Sequence, residues 1–461
     1  MSRDRFGLLV AGLLSAVACS AEVDADGDGF PRQVDCADDD PERFPGQEET
    51  CNRLDDDCDG TVDEGAEVTP LLPGEYGLGA THARIVPPTG GGVGRIAISP
   101  GDVSGDGGGD LVVLGWDDAD RTHYSVFHSS FCSSELSTLN GNAIAWSWPD
   151  GVQAVGDVNG DGIDDLNIVN GIWFGPVEGD LADREADARV TWGPVDSAVA
   201  ADFDGDGVQD LAVGHYYGGP EVQGMVAWHR GPISGDLTLE DATTVWGRQP
   251  EWGWFGATMT AIQTAEGATA YVGAINEPVG QGWGRVYELS GIPAEGQVDL
   301  SAALPLPEMF PDEPGSVGDA LVTDGAGRLC IGTDWTPINR VVCGSAERLR
   351  AGEPELVVDS DEPNTTLGPY VAMSPNAVAL GDPGTIVDET LSAGSVRVIG
   401  DPGEWRFEWS PDPTASHRSG EFGKGVALLP DPGGWTWLAV AAPGADNSAG
   451  AVYLFALATE P

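Results

Sequence analysis

Seven short apolar runs punctuate the chain, each closing on or near a small residue: "LVVLG" to Gly115, "LNIVN" to Asn170, "LAVG" to Gly214, "AYVGA" around Gly273, "LCIGT" around Gly332, "VALGD" around Gly381 and "LAVAAPG" around Ala442. Runs of this length bounded by glycine and polar clusters read as buried strands, and none is long enough for a core helix. They recur at intervals of about 45 to 60 residues, the period of propeller blades built from four strands each. Other parts recur with them. "WFGATM" and "EFGKGV" place Phe255-Gly256 and Phe422-Gly423 at blade openings, with weaker forms at Val317-Gly318 and Leu367-Gly368, while "GWGRVYEL", "AGSVRVI" and "AGAVYLF" supply a following strand. The pattern predicts an all-β chain whose residues 90–461 form a seven-bladed β-propeller. Residues 68–89 are either a linker or, through Gly74 to Pro88, a strand that closes the ring.

Ahead of the first three runs stand three gap-free copies of one acidic loop: "GDVSGDGGGD" from Gly101, "GDVNGDGIDD" from Gly156 and "ADFDGDGVQD" from Ala201. Like charges this close repel unless a cation sits between them. Positions 1, 3, 5 and 9 offer side-chain oxygens, position 6 is glycine for the sharp bend, and position 7 offers a carbonyl; Ca²⁺ accepts six to eight such oxygens. The candidate ligands are Asp102, Ser104, Asp106, Gly108 and Asp110; Asp157, Asn159, Asp161, Ile163 and Asp165; and Asp202, Asp204, Asp206, Val208 and Asp210. The strand recurs where the aspartates do not, so the cation is an addition to the blade and not its basis.

These loops, the Phe-Gly openings and the last blade resemble FG-GAP repeats, the units of the integrin alpha-subunit propeller, over roughly residues 90 to 461. The resemblance implies a closed seven-bladed ring and a role in interaction instead of catalysis. Closure removes the exposed sheet edges that invite aggregation.

Residues 19–67 form a different, strongly acidic module with almost no large apolar residues, so disulfides and metal ions have to replace a core. Asp24, Asp26, Asp28, Gly29, Phe30 and Asp35 fit positions 1, 3, 5, 6, 7 and 12 of a calcium loop, and Asp55, Asp57, Asp59, Gly60, Thr61 and Asp63 repeat its opening. The succession D-x-D-G-D-G-F, D-C, P-G-x-E-x-x-C and D-D-D-C-D-G-x-x-D-E-G resembles the metal-binding motif named after the copper-binding surface protein MopE. Copper does not carry over to these residues: the module has no His or Met, and hard carboxylates suit Ca²⁺ or Mg²⁺. A disordered acidic spacer is the other reading.

Seven cysteines are present. Cys19 ends "SAVAC" after Arg3, Arg5 and an apolar stretch too short to span a bilayer. This resembles a bacterial lipobox, implying a signal peptide over residues 1–18, lipidation of Cys19 and, with Ser20 next, the outer membrane or cell surface; plain cleavage after Ala18, giving a secreted protein, also fits. The six remaining cysteines suit an oxidising compartment. Cys330 and Cys343, on two strand-like runs joined by a short loop, are expected to pair; Cys36, Cys51, Cys58 and Cys132 allow three pairings.

A formal charge of -54 argues against nucleic acid as partner. No H-E-x-x-H, G-x-S-x-G, Walker loop or C-x-x-C occurs. The expectation is a monomeric, calcium-dependent, non-enzymatic surface protein that binds a macromolecular or glycan ligand. A hydrolase with its site in the propeller loops and a metal-sequestering protein are the alternatives. The tryptophans are expected to pack between blades more than to form a sugar-stacking surface.

Overall fold

The computed structural model describes residues 24–47, 49, 55–60 and 68–459, except 120, 130, 132–135, 147–150, 218–223, 247–252, 266, 280–281, 291–295, 298–315, 335–338, 361–365, 388–389, 391 and 410–419. Two compact units divide the chain, Met1–Ala66 and Glu67–Pro461. Cys19 and the apolar stretch before it lie outside the described residues, as do Cys51, Thr61, Asp63 and Cys132.

The larger unit is built almost wholly of antiparallel strands; its longest helix among the described residues is Ala346–Arg350. Six hydrogen-bonded sheets follow one another along the chain. Sheet 1 runs Gly92–Ile98, Leu111–Trp116, Thr122–Phe127 and Ala143–Trp146. Sheet 2 runs Val152–Gly156, Asp165–Ile168, Gly171–Trp173 and Ala188–Arg189, and sheet 3 runs Ser197–Ala201, Asp210–His215, Met225–His229 and Thr243–Trp246. Sheet 4 has seven strands, from Phe255–Thr264 to Leu356–Asp359. Sheet 5 starts at Val371–Met373 and sheet 6 at Val426–Pro430.

The expectation of separate four-stranded blades therefore meets one double sheet, joined at a glycine contact that also occurs between other neighbouring sheets. In sheet 6 the third strand, Ala451–Leu457, is preceded by Gly450, where an added Cβ would lie 1.8 Å from the Val93 carbonyl oxygen; Gly94, opposite, would carry its Cβ 2.9 Å from the Ala451 oxygen. The same pairing recurs between Gly224 and Phe255-Gly256 and between Gly394 and Phe422-Gly423, and there each contact is a single parallel bridge, Gly224↔Phe255 and Gly394↔Phe422. In sheet 4 the equivalent contact, around Gly284 and Val317, includes Trp283↔Ser316 and fuses two runs into one sheet. The Phe-Gly opening thus has a mechanical reason. Its apolar residue is buried, and its glycine adopts positive φ (88° at Gly256, 94° at Gly423) so that a first strand can bulge against the preceding sheet.

Apolar side chains fill the space between neighbours. Val112, Leu114, Leu166 and Trp173 join sheets 1 and 2; Val155, Val195 and Leu211 join 2 and 3; Trp228, Phe255 and Tyr287 join 3 and 4. Ile262, Tyr271, Leu329 and Ile331 pack between the two halves of sheet 4, Cys343, Val358 and Leu380 between 4 and 5, and Trp405, Phe407, Phe422 and Phe455 between 5 and 6. The last core closes a circle, because Leu111 and Phe127 of sheet 1 pack on Trp437 and Leu454 of sheet 6. Tryptophan packing between sheets is what the sequence led us to expect; Trp228, Trp405 and Trp437 are fully buried.

Ala83–Val86 supplies the fourth strand of sheet 6, antiparallel to Ala451–Leu457 in the register Ala83↔Leu454. Gly74–Tyr76 adds a parallel fifth strand to sheet 5. Fifth strands of two residues also attach elsewhere, Gly179–Asp180 on sheet 1 and Leu136–Ser137 on sheet 6. Cys330 and Cys343 face each other across adjacent strands and are joined by a disulfide.

Candidate metal-binding loops

Each acidic loop joins the first strand of a sheet to the second. In the first loop Asp102 Oδ1 accepts the N–H of Gly105 (2.6 Å) and Asp106 (3.0 Å), Asp102 Oδ2 accepts that of Gly107 (2.8 Å), and Asp106 Oδ1 accepts that of Gly108 (2.8 Å). The second loop repeats these bonds from Asp157 to Gly160, Asp161 and Gly162, and from Asp161 to Ile163. The third repeats them from Asp202 to Gly205, Asp206 and Gly207, and from Asp206 to Val208. The position-1 carboxylate is thus the hub about which the chain turns, and glycines at positions 4 and 6 supply the positive φ the turn needs, 82° and 89° at Gly105 and Gly107.

Position 9 does a different job. Asp110, Asp165 and Asp210 are almost completely buried and tie the loop to its own sheet. Asp165 Oδ2 accepts the N–H of Val158 and Asn159 while Oδ1 accepts that of Gly175, just past the third strand; Asp210 does the same for Phe203, Asp204 and Gly231. Asp110 accepts the Ser104 and Ser129 N–H groups. Burial, followed by the negative charge of Asp106, pushes the Asp110 carboxyl up to about 8, and burial pushes Asp165 up to about 7. A nearby divalent cation is the counter-charge that keeps such groups ionised. In the third loop oxygens of Asp202, Asp204 and Asp206 lie within 4.8 Å of one another, and the Arg230 guanidinium reaches Asp204 at 3.3 Å.

The acidic module repeats the same skeleton. Asp24 Oδ1 accepts the Gly27 N–H (2.7 Å), Asp24 Oδ2 that of Gly29 (3.1 Å) and Asp28 Oδ1 that of Phe30 (2.7 Å). Asp55 Oδ2 accepts the Gly60 N–H at 3.0 Å and Asp57 Oδ1 that of Asp59 at 3.0 Å. Position 4 of this last loop is Cys58, held at φ 61° while bonded to Cys36, so a disulfide cysteine stands where the other loops use glycine. The Cys36–Cys58 pairing settles one of the possibilities left open by the sequence. Ligand atoms cluster within 4.8 Å in Asp24, Asp26 and Asp28, and in Glu49, Asp55 and Asp57. Glu49 was not foreseen; its Oε1 accepts the Asp56 and Asp57 N–H groups, a long-range cap that no spacing rule marks.

A test of fit comes from oxygens without partners. Asp26 Oδ2, Asp28 Oδ2, Asp35 Oδ2 and Asp55 Oδ1 are buried and, among the described residues, accept no hydrogen bond, a costly state for carboxylates that a bound cation relieves. Burial, and then the charges of Asp28, Asp35 and Asp24, raise the pKa of Asp26; Asp35 itself groups with Cys36 and Cys58 and not with Asp24, Asp26 and Asp28. Residues 35–64 carry the MopE-type metal-binding motif. They match the Cu-binding MopE family, described as "Putative metal-binding motif". The Asp35, Cys36 and Cys58 group inside the MopE-type motif offers disulfide sulfurs and no thiolate, which leaves the Asp35 carboxylate as the donor it could give a metal ion.

Among solved structures the chain is similar to the Dos1 propeller at 12% identity and TM-score 0.38, over 75% of this chain and 74% of that one. It is also similar to the WD40 domain of Toxoplasma gondii coronin at 11% identity and TM-score 0.36, over 79% of this chain and 80% of that one. No curated protein matches the sequence.

Proposed function

We propose that the protein is an exported, lipid-anchored surface protein in which Ca²⁺ braces a seven-bladed, FG-GAP-type propeller that binds a macromolecular or glycan ligand. The observation that carries the metal part is the shared hydrogen-bond skeleton of five loops, two in the module and three in the propeller, each turning about a position-1 aspartate. An all-oxygen donor set of carboxylates and carbonyls favours Ca²⁺ over copper or zinc. Counting the two halves of sheet 4 as two blades gives the seven of the repeat. When bound, the cation supplies charge neutralisation and rigidity; the chain's own part is to orient the oxygens through glycine turns and the position-9 anchors.

The binding reading rests on the absence of a catalytic constellation in the sequence and on rigid loops as a platform for recognition. Metal analysis of protein purified in millimolar calcium is expected to find calcium, and none bound would overturn the proposal. A glycan array and a cell-surface pull-down, with and without calcium, test the ligand. Cys19→Ser is expected to move the protein from the membrane fraction to the soluble one.

A further inference from the structure

The first and second propeller loops, which lie in adjacent sheets, are wired to each other by Asp164. This residue sits at position 8 of the second loop and is not among its ligands. Its Oδ2 accepts the N–H of Asp102 at 3.0 Å, and its own N–H donates to the Asp102 carbonyl oxygen at 3.0 Å. Asp102 is the hub of the first loop, so both of its backbone polar groups are held by a residue of the second. The fit around this clasp is tight. A Cβ on Gly101 would lie 2.1 Å from Asp164 Oδ2, and one on Gly105 would lie 3.1 Å from Ile163 Cδ1. Gly101 also has φ 96°, so neither space nor backbone admits another residue there. Val177, in the segment after the third strand of sheet 2, donates to the Val103 carbonyl at 2.9 Å; this bond recurs from Ile233 to Val158 at 2.7 Å, so the Asp164 bonds alone set the first junction apart.

The third loop is joined differently. Gln209 takes position 8, and among the described residues it makes neither bond to Asp157; its Oε1 abuts Gly156 instead. The Asp202 N–H is held by Gln263 Oε1 (2.9 Å), a side chain of sheet 4, where the first-to-second strand connection has no calcium loop.

We infer that Asp164 is a positioning residue that couples cation binding in the first two loops, leaving the third independent. The inference rests on the calcium reading above. In the second loop the position-7 ligand is the Ile163 carbonyl, the peptide unit that immediately precedes Asp164. A cation held there fixes that peptide, which fixes Asp164, which fixes the hub of the first loop before its own cation arrives. Ordering completed by one ligand need not be repeated by the next, which is positive coupling, and the coupling is reciprocal.

The test uses full-length protein and calcium itself, with equilibrium dialysis as readout and the first-loop ion assigned as the one lost in Asp106→Ala. Disabling the second loop with Asp161→Ala is expected to weaken first-loop binding about fivefold, the low end of measured couplings; disabling the third with Asp206→Ala is expected to leave it unchanged. Asp164→Ala should weaken the first loop and abolish its response to Asp161→Ala. Asp164→Asn should restore the response, because an amide oxygen still accepts the Asp102 N–H; a purely electrostatic role would make Asn behave like Ala. Thermal scans in high calcium confirm that each variant is folded. If Asp161→Ala and Asp206→Ala act alike on the first loop, the coupling is refuted while calcium binding stands. If the unaltered protein binds no calcium in the propeller loops, both readings fall.

Discussion

Removing calcium should lower the melting temperature of the propeller without changing its fold. The hub carboxylates accept the loop N–H groups and the position-9 aspartates are anchored to their own sheets, so the loops keep their turns and lose mainly the ligation energy. Loops of this class in extracellular modules bind Ca²⁺ at roughly 0.1–1 mM. At about 10 mM calcium, linkage then gives roughly 1.4–2.7 kcal/mol per loop, or about 4–8 kcal/mol for three. Unfolding a unit of the size of Glu67–Pro461 has an entropy near 0.8 kcal/mol/K, at about 2 cal/mol/K per residue. The expected shift is therefore about 5–10 °C, measured by scanning calorimetry in 10 mM calcium against excess chelator. Far-UV circular dichroism below the transition should be the same in both. A shift under about 1 °C would refute the reasoning, and so would loss of the β signal on chelation at room temperature.

Three further outcomes follow from the packing. His229 is buried, and burial pushes its imidazole down to about 4 from 6.5; the unfolded chain takes up a proton between those values and the native one does not. Stability is thus complete above pH 6.5 and falls towards pH 4, by about 3 kcal/mol at most, and His229→Gln should flatten that part of a denaturant-midpoint profile. Asp324 makes a tight turn where sheets 1 to 3 have an acidic loop, accepting the Ala326 and Arg328 N–H groups and the Arg328 guanidinium; Asp324→Ala should cost about 2 kcal/mol in urea unfolding. Replacing both Cys330 and Cys343 by alanine removes a cross-strand bridge over a short loop, with an expected loss of about 3 kcal/mol by chain entropy.

The second strand of each sheet was legible because it is buried on both faces and reads as an unbroken apolar run; Leu111 to Leu114 and Leu438 to Ala442 are wholly inside. The acidic loops were legible because their spacing is local. Phe255-Gly256 and Phe422-Gly423 were legible too, and Val317-Gly318 in weaker form, but Val93-Gly94, which makes the same contact, was not, since it adjoins the run Gly90 to Gly92 and no one glycine stands out. The fifth strands could not be read. Gly179–Asp180 and Leu136–Ser137 are two residues long and are strands only because a partner lies beside them. Asp164 could not be read either: its partner, Asp102, is 62 residues away, and sequence spacing holds no trace of a contact across two sheets.

The strand Ala83–Val86 belongs to the first part of the propeller to be synthesised, yet its antiparallel partner, Ala451–Leu457, belongs to the last. A growing chain can complete the antiparallel strands of each sheet from neighbouring sequence until it reaches sheet 6, where Ala451–Leu457 meets a strand made long before. The ring locks late, across a sequence separation that spans most of the unit, which sets a slow, non-local step at the end of folding. Until that event the apolar edge of Ala451–Leu457 is open, and any nascent chain stalled before Leu457 holds an idle N-terminal strand ready to pair with a second copy.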